Sequence, residues 1–157
     1  MKIKLLVIGK TDDKNLGQLI EKYQQRLNHY VNFDIEIIPD IKNVKNLSQL
    51  QQKEKEGELI LSKLKNTDQL VLLDEKGKEY RSLDFANFLQ KKMNSGIKQL
   101  VLVVGGPYGF SESVYRKTVG KVSLSKMTFS HQMIRLFIVE QLYRGFTILK
   151  NEPYHHE

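Results

Sequence analysis

The feature that most constrains this chain is the alternation of short apolar runs with longer segments of helical periodicity. Strands are predicted at 3–9 (IKLLVIG), 33–38 (FDIEII), 69–74 (QLVLLD), 99–104 (QLVLVV) and, as a short strand, 122–125. Strands that alternate with helices indicate a parallel sheet with both faces covered. The expected fold class is therefore α/β, a mostly parallel sheet with helices on both faces.

Apolar residues at helical spacing predict the helices that connect these strands. The predicted helices span 15–30, 47–64, 82–94, a short segment from Ser111, and 131–150. No linker, repeat or shift in composition interrupts the chain, so residues 1–157 are expected to form a single domain. Sheets of this kind bind ligands at the carboxyl ends of their strands, here the loops after Leu73, Val104 and Leu124.

The last predicted helix is apolar around almost its whole circumference. Its apolar residues are Met133, Ile134, Leu136, Phe137, Ile138, Val139, Leu142, Tyr143, Phe146, Ile148 and Leu149. A helix with this pattern must be buried, and a chain of 157 residues has a limited interior. Burial against a second copy is favoured over deep burial within one chain, so a homodimer is expected.

Charge, cysteine content and apolar run length restrict the partners and the compartment. The formal net charge of +7 favours nucleic acid as a partner, although it also fits an ordinary basic enzyme. The chain has no Cys, so no disulfide and no thiolate zinc site are expected. The apolar run at 5–9 is too short for a signal peptide, and no run approaches the roughly 20 residues of a membrane helix. A soluble, cytoplasmic protein without a membrane partner is predicted.

Three short motifs look like common sites but lack their defining residues. Gly9-Lys10-Thr11 would end a P-loop, but Lys4 stands where that motif requires Gly. The glycine run after Val104 lacks the spacing of a dinucleotide fingerprint. The adjacent histidines at 155 and 156 are weak support for zinc, so no metal site is predicted.

Three segments form a specific pattern when they are taken together. They are 71–78 (VLLDEKGK), 103–110 (VVGGPYGF) and 124–156 (LSKMTFSHQMIRLFIVEQLYRGFTILKNEPYHH). The combination of GGPxG, SLSKMTF, HQMxR and a terminal Tyr-His resembles the SPOUT superfamily of methyltransferases. In detail it resembles the RlmH (YbeA-like) family, the large-subunit ribosomal RNA pseudouridine methyltransferases. The resemblance covers the whole chain.

This resemblance implies a C-terminal trefoil knot, an active homodimer, and S-adenosylmethionine as methyl donor with S-adenosylhomocysteine as product. Carried over by position, donor contacts are expected at Leu73, Gly105, Leu124, Ser125, Lys126, Met127, Thr128 and Phe129. Leu73, Leu124 and Met127 can line an adenine slot. Gly105 and Gly106 would let the backbone approach the ligand where a Cβ would obstruct it, with a simple strand-ending turn as the alternative.

The resemblance also implies a substrate, the N3 position of pseudouridine 1915 in 23S rRNA, within helix 69 of the assembled ribosome. That nitrogen is protonated at neutral pH, so a proton acceptor is required. Tyr154 and His155 are expected over the target base, with Tyr154 stacking on the base or orienting it. His155 is the better proton acceptor, because histidine titrates nearest to neutral pH. The donor methyl is already activated, so no metal is required.

Further candidates lie on the last helix and in the loop before it. They are His131, Arg135 and Arg144 on the helix, and Lys126 as a second phosphate ligand. The two arginines would bind phosphates or make contacts across the dimer. Alternatives stay open: the arginines could pair with Glu140 or Glu152, His131 could cap or pack the helix, and the tail could be frayed.

Three positions depart from the family pattern. Ser130 stands where Pro is common, His156 where Arg or Lys often follows the Tyr-His pair, and Tyr108 at the variable place of GGPxG. With His156 there, a terminal phosphate contact would be weaker, or would form only when His156 is protonated. Two other functions stay open: a SPOUT methyltransferase acting on another RNA such as tRNA, and a basic ribosome-binding factor without catalysis.

Overall fold

Five strands form one sheet in the computed structural model, which describes residues 1–156. The strands are β1 (Lys2–Ile8), β2 (Asn32–Ile38), β3 (Asp68–Glu79), β4 (Gln99–Val104) and β5 (Gly120–Ser123). Their order across the sheet is β2-β1-β4-β3-β5, and every pair of neighbours runs parallel. The parallel α/β architecture expected from the sequence is confirmed.

Five α-helices and one 3₁₀ turn connect the strands within the described residues. The helices are α1 (Lys14–Leu27), α2 (Gln49–Ser62), α3 (Ser82–Asn94), α4 (Glu112–Lys117) and α5 (His131–Leu149), and the turn spans Val44–Asn46. Side-chain caps mark the beginnings of α1, α2, α4 and α5, whereas α3 has none. Ser48 and Gln51 form a capping box, and this is why α2 begins two residues later than predicted.

The helices lie in two layers, one on each face of the sheet. α1, α3 and α5 pack against one face, and α2 and α4 cover the other. Successive residues of β1 serve both cores: Leu5 packs in the core that includes Leu142 of α5, and Leu6 in the core that includes Ile60 of α2. Because neighbouring side chains of a strand point to opposite faces, a strand buried on both sides reads as a continuous apolar run.

β3 continues further than the sequence predicts. The strand was predicted to end at residue 74, but β3 extends to Glu79. Its register against β5 shifts between Leu73 and Lys78, so the strand bulges and then pairs again. Gly77 lies in this bulge, where a Cβ would stand 2.7 Å from the backbone of β5. Glycine therefore allows close contact between two strands here and does not end one.

Only one side of α5 is buried within a single chain. Ile138, Val139 and Leu142 are fully buried, whereas Met133 is 38% exposed and several other apolar residues of the helix are half-buried. The expectation that α5 is buried all round is therefore not met by one chain alone. Although α5 has 19 residues, neither it nor any other helix within residues 1–156 is long and apolar enough to cross a membrane.

Candidate functional site

A cavity of about 620 Å³ opens at the carboxyl ends of β3, β4 and β5. Eight of the nine residues predicted to contact the methyl donor line it: Leu73, Gly105, Gly106, Leu124, Ser125, Met127, Thr128 and Phe129. His131 and Ile134 of α5 complete the wall. The ninth residue, Lys126, does not line the cavity; its Nζ lies 3.9 Å from Glu79 Oε1, and its side chain is 83% exposed. The cavity thus lies at the carboxyl ends of the strands, the edge at which parallel sheets bind ligands.

Polar side chains at the cavity are hydrogen-bonded to each other across the loops. The Tyr115 hydroxyl donates to Asp74 Oδ2 at 2.6 Å, and the Thr128 hydroxyl donates to Glu75 Oε2 at 3.2 Å. Burial, together with the hydrogen bond to Asp74 and its charge, raises the pKa of Tyr115 to about 12. Sequence reasoning did not select Asp74, Glu75 or Tyr115, although Asp74 follows the buried part of β3, where ligand-binding residues are expected.

Gly105 and Gly106, the two glycines after β4, are explained by side-chain packing that the sequence did not reveal. They were expected to leave room for a ligand. A Cβ on Gly105 would stand 3.0 Å from the Phe110 ring, and a Cβ on Gly106 would collide with the Glu56 carboxyl group, 2.9 Å from its Cδ. The glycines therefore leave room for buried side chains of the protein itself, and close packing requires them independently of any ligand.

The loop after β5 is held in shape by its own serines. The Ser123 hydroxyl donates to the Ser125 carbonyl at 2.9 Å, and the Met127 amide donates to Ser125 Oγ at 2.9 Å. Ser130 Oγ accepts from the Met133 amide at 3.1 Å and so caps α5. Ser130, the residue that departs from the family's proline, thus begins the helix by a different means.

The Arg135 side chain is buried and makes its hydrogen bonds within the protein. It is 2% exposed, and its guanidinium donates to the carbonyls of Ile8 at 2.7 Å and Gly9 at 2.9 Å, and to Thr11 Oγ1 at 3.2 Å. Burial lowers the pKa of Arg135, against the opposing charge of two nearby aspartates. Arg135 therefore joins α5 to the end of β1 by hydrogen bonds, whereas a phosphate or cross-subunit contact had been predicted.

The C-terminal tail folds back along α5 and is packed against it, not frayed. The Tyr154 hydroxyl donates to Glu140 Oε1 at 2.9 Å and lies 3.3 Å from the Tyr23 hydroxyl. Arg144 Nη2 donates to the same Glu140 oxygen at 2.7 Å. Pairing of this arginine with Glu140 was one of the predicted alternatives. Arg144 Cζ also lies 4.7 Å from the centre of the Tyr154 ring. Arg144 Nη1 lies 3.2 Å from His155 Nδ1.

Electrostatics in this tail cluster favour protonated phenols and a charged arginine. Burial, together with its hydrogen bonds, raises the pKa of Tyr154. Tyr30 donates to Glu152, and this bond, with burial, raises the pKa of Tyr30 to about 12. Burial disfavours the charge on Arg144, but the hydrogen bond and charge of Glu140 outweigh it and raise the pKa. At neutral pH both phenols are therefore hydrogen-bond donors.

The tail cluster and the cavity lie at different levels of α5. The tail is bonded to Glu140, nine residues after His131, a spacing of about 13 Å along a helix. Neither Tyr154 nor His155 lines the cavity of its own chain. A smaller cavity of about 310 Å³ shares Leu124 and three other residues with the larger one and reaches Glu140. One chain therefore does not bring all the predicted catalytic residues to one site.

A parallel α/β domain with a cavity formed by three loops at the strand ends defines the class of cofactor-binding α/β enzymes. Within residues 1–156, no group of three or more His, Cys, Asp or Glu is arranged to hold a metal ion. The family described as "Predicted SPOUT methyltransferase" matches residues 1–155. This chain belongs to the SPOUT methyltransferase family.

Proteins from several organisms are similar to this chain over its whole length. A protein of Flavobacterium psychrophilum called ribosomal RNA large subunit methyltransferase H is 72% identical over 157 residues, the full length of both chains. Proteins of the same name from Flavobacterium johnsoniae and Parabacteroides distasonis are 71% and 65% identical, again over the full length of both chains. The resemblance found in the short motifs is thus confirmed along the entire sequence.

Proposed function

We propose that this chain transfers a methyl group from S-adenosylmethionine to the N3 position of pseudouridine 1915 in 23S rRNA, in helix 69 of the assembled ribosome. The observation that carries the proposal is the strand-end cavity, lined by eight of the nine expected donor contacts. The relatives named for methylation of large-subunit ribosomal RNA support the choice of substrate. The net charge of +7 also suits a polyanionic partner.

The cavity suits the methyl donor in its size and in the chemistry of its wall. A volume of about 620 Å³ is ordinary for a cofactor site. Leu73 and Leu124 offer apolar contact to an adenine ring, and Asp74 and Ser125 offer polar partners to hydroxyl or amino groups. When bound, S-adenosylmethionine supplies a methyl group on a sulfonium centre that is already activated for displacement.

The protein must orient the target base and remove its proton. N3 attacks the methyl carbon, the carbon–sulfur bond breaks with its electron pair on sulfur, and the N3 proton passes to an acceptor. We assign the acceptor role to His155, because the raised pKa of Tyr154 makes that phenol a donor. The Tyr154 ring offers a face on which the base can stack.

The contact between Arg144 and His155 sets a condition on this role. Arginine can only donate, so His155 Nδ1 accepts and the ring proton lies on Nε2. An imidazole in that state has no free nitrogen for a second proton. Proton acceptance by His155 therefore requires that the contact with Arg144 opens when the target base enters.

A homodimer would complete the site. The tail of each chain lies away from its own cavity, and α5 leaves apolar residues such as Met133 and Phe137 partly exposed. A second copy packed on this face of α5 would cover them and bring its Tyr154 and His155 towards the cavity. The proposal includes the C-terminal trefoil knot, which the family resemblance implies.

Transfer of labelled methyl from S-adenosylmethionine tests the proposal. The acceptors are ribosomes lacking the modification, free large subunits, naked rRNA and bulk tRNA, each in a parallel reaction. We expect label only in the pseudouridine of helix 69, and only with assembled particles. Label in tRNA would replace the substrate but keep the family. Donor binding without label in any RNA would indicate a non-catalytic ribosome-binding factor.

A further inference from the structure

Glu56 is a buried acid that the proposed reaction does not use. It lies in the middle of α2 and is 4% exposed, whereas Glu54 and Glu58 on the same helix are exposed. Its Oε1 accepts from Gln52 Nε2 at 3.1 Å, and its Oε2 is buried without a hydrogen-bond partner. Burying a carboxyl oxygen in this way is unfavourable, so its position calls for a physical reason.

The Glu56 carboxyl group lies behind the wall of the larger cavity. Gly106 lines that cavity, and the position of its missing Cβ is taken by Glu56. The next residue of α2, Gly57, packs in the same way on Ser111, where a Cβ would collide with the hydroxyl. These two contacts hold α2 against the loop between β4 and α4. Gly106 therefore contacts the carboxyl group on one side and borders the cavity on the other.

Building on the proposed function, we propose that Glu56 is a specificity-determining residue: its carboxylate favours the cationic donor, S-adenosylmethionine, over the neutral product, S-adenosylhomocysteine. The donor carries a sulfonium charge that is absent from the thioether of the product. A charge in the protein interior is screened less than an exposed carboxylate such as Glu75 at the cavity mouth. This preference favours exchange of product for fresh donor after each transfer.

The ionisation of Glu56 gives the preference a pH dependence. Burial raises the pKa of Glu56, the hydrogen bond from Gln52 opposes this, and the charge of Asp40, in the loop after β2, acts in the same direction as burial. A bound cation stabilises the ionised carboxylate. Affinity for S-adenosylmethionine should therefore increase as pH rises through the titration of Glu56, and affinity for S-adenosylhomocysteine should not follow it.

Calorimetric titration of the full chain with each ligand tests the proposal. The measured quantity is the ratio of the two dissociation constants, because the ligands differ only in the methyl group and its charge. Glu56→Gln keeps the volume and the bond to Gln52 but removes the charge. We expect it to reduce the preference for S-adenosylmethionine roughly three- to tenfold. Glu58→Gln, an exposed change on the same helix, should leave the ratio unchanged.

Other outcomes separate this role from a structural one. A parallel loss of affinity for both ligands, or an unchanged ratio, would overturn the proposal. Glu56→Asp keeps the charge and should keep the preference. If Glu56→Gln does not fold, the ratio is measured from about pH 4, near the ordinary titration of glutamate, up to about pH 8 in His131→Gln, which removes the imidazole that lines the cavity. A flat ratio there would also overturn it. Failure of both ligands to bind the unaltered chain would instead refute the proposed function.

Discussion

Arg135 makes its hydrogen bonds within the chain, although its charge had suggested a phosphate or a second subunit as its partner. Its three hydrogen bonds join the second turn of α5 to residues 8–11, at the end of β1 and just after it. Hydrogen bonds from a charged donor are stronger than neutral ones, and their loss would leave buried carbonyl groups unsatisfied. The position of α5, and of the cavity wall that it provides, therefore depends on this side chain.

Replacing Arg135 by Met should lower the free energy of unfolding by about 3 kcal/mol, because the buried Gly9 carbonyl and the partly buried Ile8 carbonyl lose their donor. Urea denaturation measures the effect. Arg116→Met is the control, because Arg116 makes an exposed ion pair with Glu112 at 3.6 Å, and its loss should change stability by no more than about 0.5 kcal/mol. Equal losses in the two variants would contradict the role given to Arg135.

The assignment of His155 makes a separate prediction about rate. His155→Ala should lower kcat for methylation of ribosomes about 100-fold, the usual contribution of a positioned acid–base group, and leave donor affinity unchanged. Single-turnover methyl transfer and donor titration measure the two quantities. His29→Ala, an exposed histidine beyond α1, is the matched control. A truncation after Pro153 that retains the full rate would show that the tail has no catalytic part.

Buried polar side chains were the least predictable part of the site. Strand order predicts which loops meet at the cavity, and the family resemblance supplied the expected donor contacts within them, eight of which line the cavity. Glu56 could not, because it stands among the mixed lysines and glutamates of α2, and only the neighbouring Gly57 hints at close packing. Arg135 looked like a phosphate ligand because the pattern of an apolar helix does not show which backbone lies opposite.

At the level of elements, sequence periodicity predicts the bounds of helices and strands that local residues determine. It misses the part of a strand that forms only because a distant strand pairs with it. The span 82–94 and the strand at 99–104 agree with α3 and β4 to the residue. The extension of β3 to Glu79 was missed because residues 75–79 (EKGKE) do not alternate. That stretch is a strand because β5 pairs with it beyond the bulge, and a long-range partner leaves no local pattern.

Two glycines within helices should respond to alanine in opposite ways, because Gly57 of α2 is packed against the loop beyond β4 and Gly17 of α1 has room for a Cβ. Gly57→Ala should destabilise the fold by about 1–3 kcal/mol, because its Cβ would collide with the Ser111 hydroxyl and stand 3.2 Å from Val114. Gly17→Ala in α1 should stabilise it by about 0.5–1 kcal/mol, because the nearest atom lies 4.0 Å away and alanine favours the helix. Thermal unfolding of both variants checks the signs. A stabilising Gly57→Ala would mean that α2 packs more loosely than described.

At the scale of the whole molecule, the partly exposed side of α5 predicts self-association. The unaltered chain should sediment as a dimer, and Met133→Glu, which places a charge on that side of the helix, should shift it towards monomer. Leu50→Glu is the control, because Leu50 is 59% exposed on α2 at the other face of the sheet. Analytical ultracentrifugation measures both. A Met133→Glu chain that stays dimeric would place the interface elsewhere.

The bonds of α5 and the tail to the first elements of the chain also bear on when the protein becomes active. Arg135 bonds to residues 8–11, and Tyr154 contacts Tyr23 of α1, so α5 and the tail hold elements that lie far earlier in the chain. The cavity needs His131 and Ile134 to close its wall. Because α5 follows β5 in the chain, the cavity can be complete only after α5 has been synthesised and has folded back onto the earlier elements.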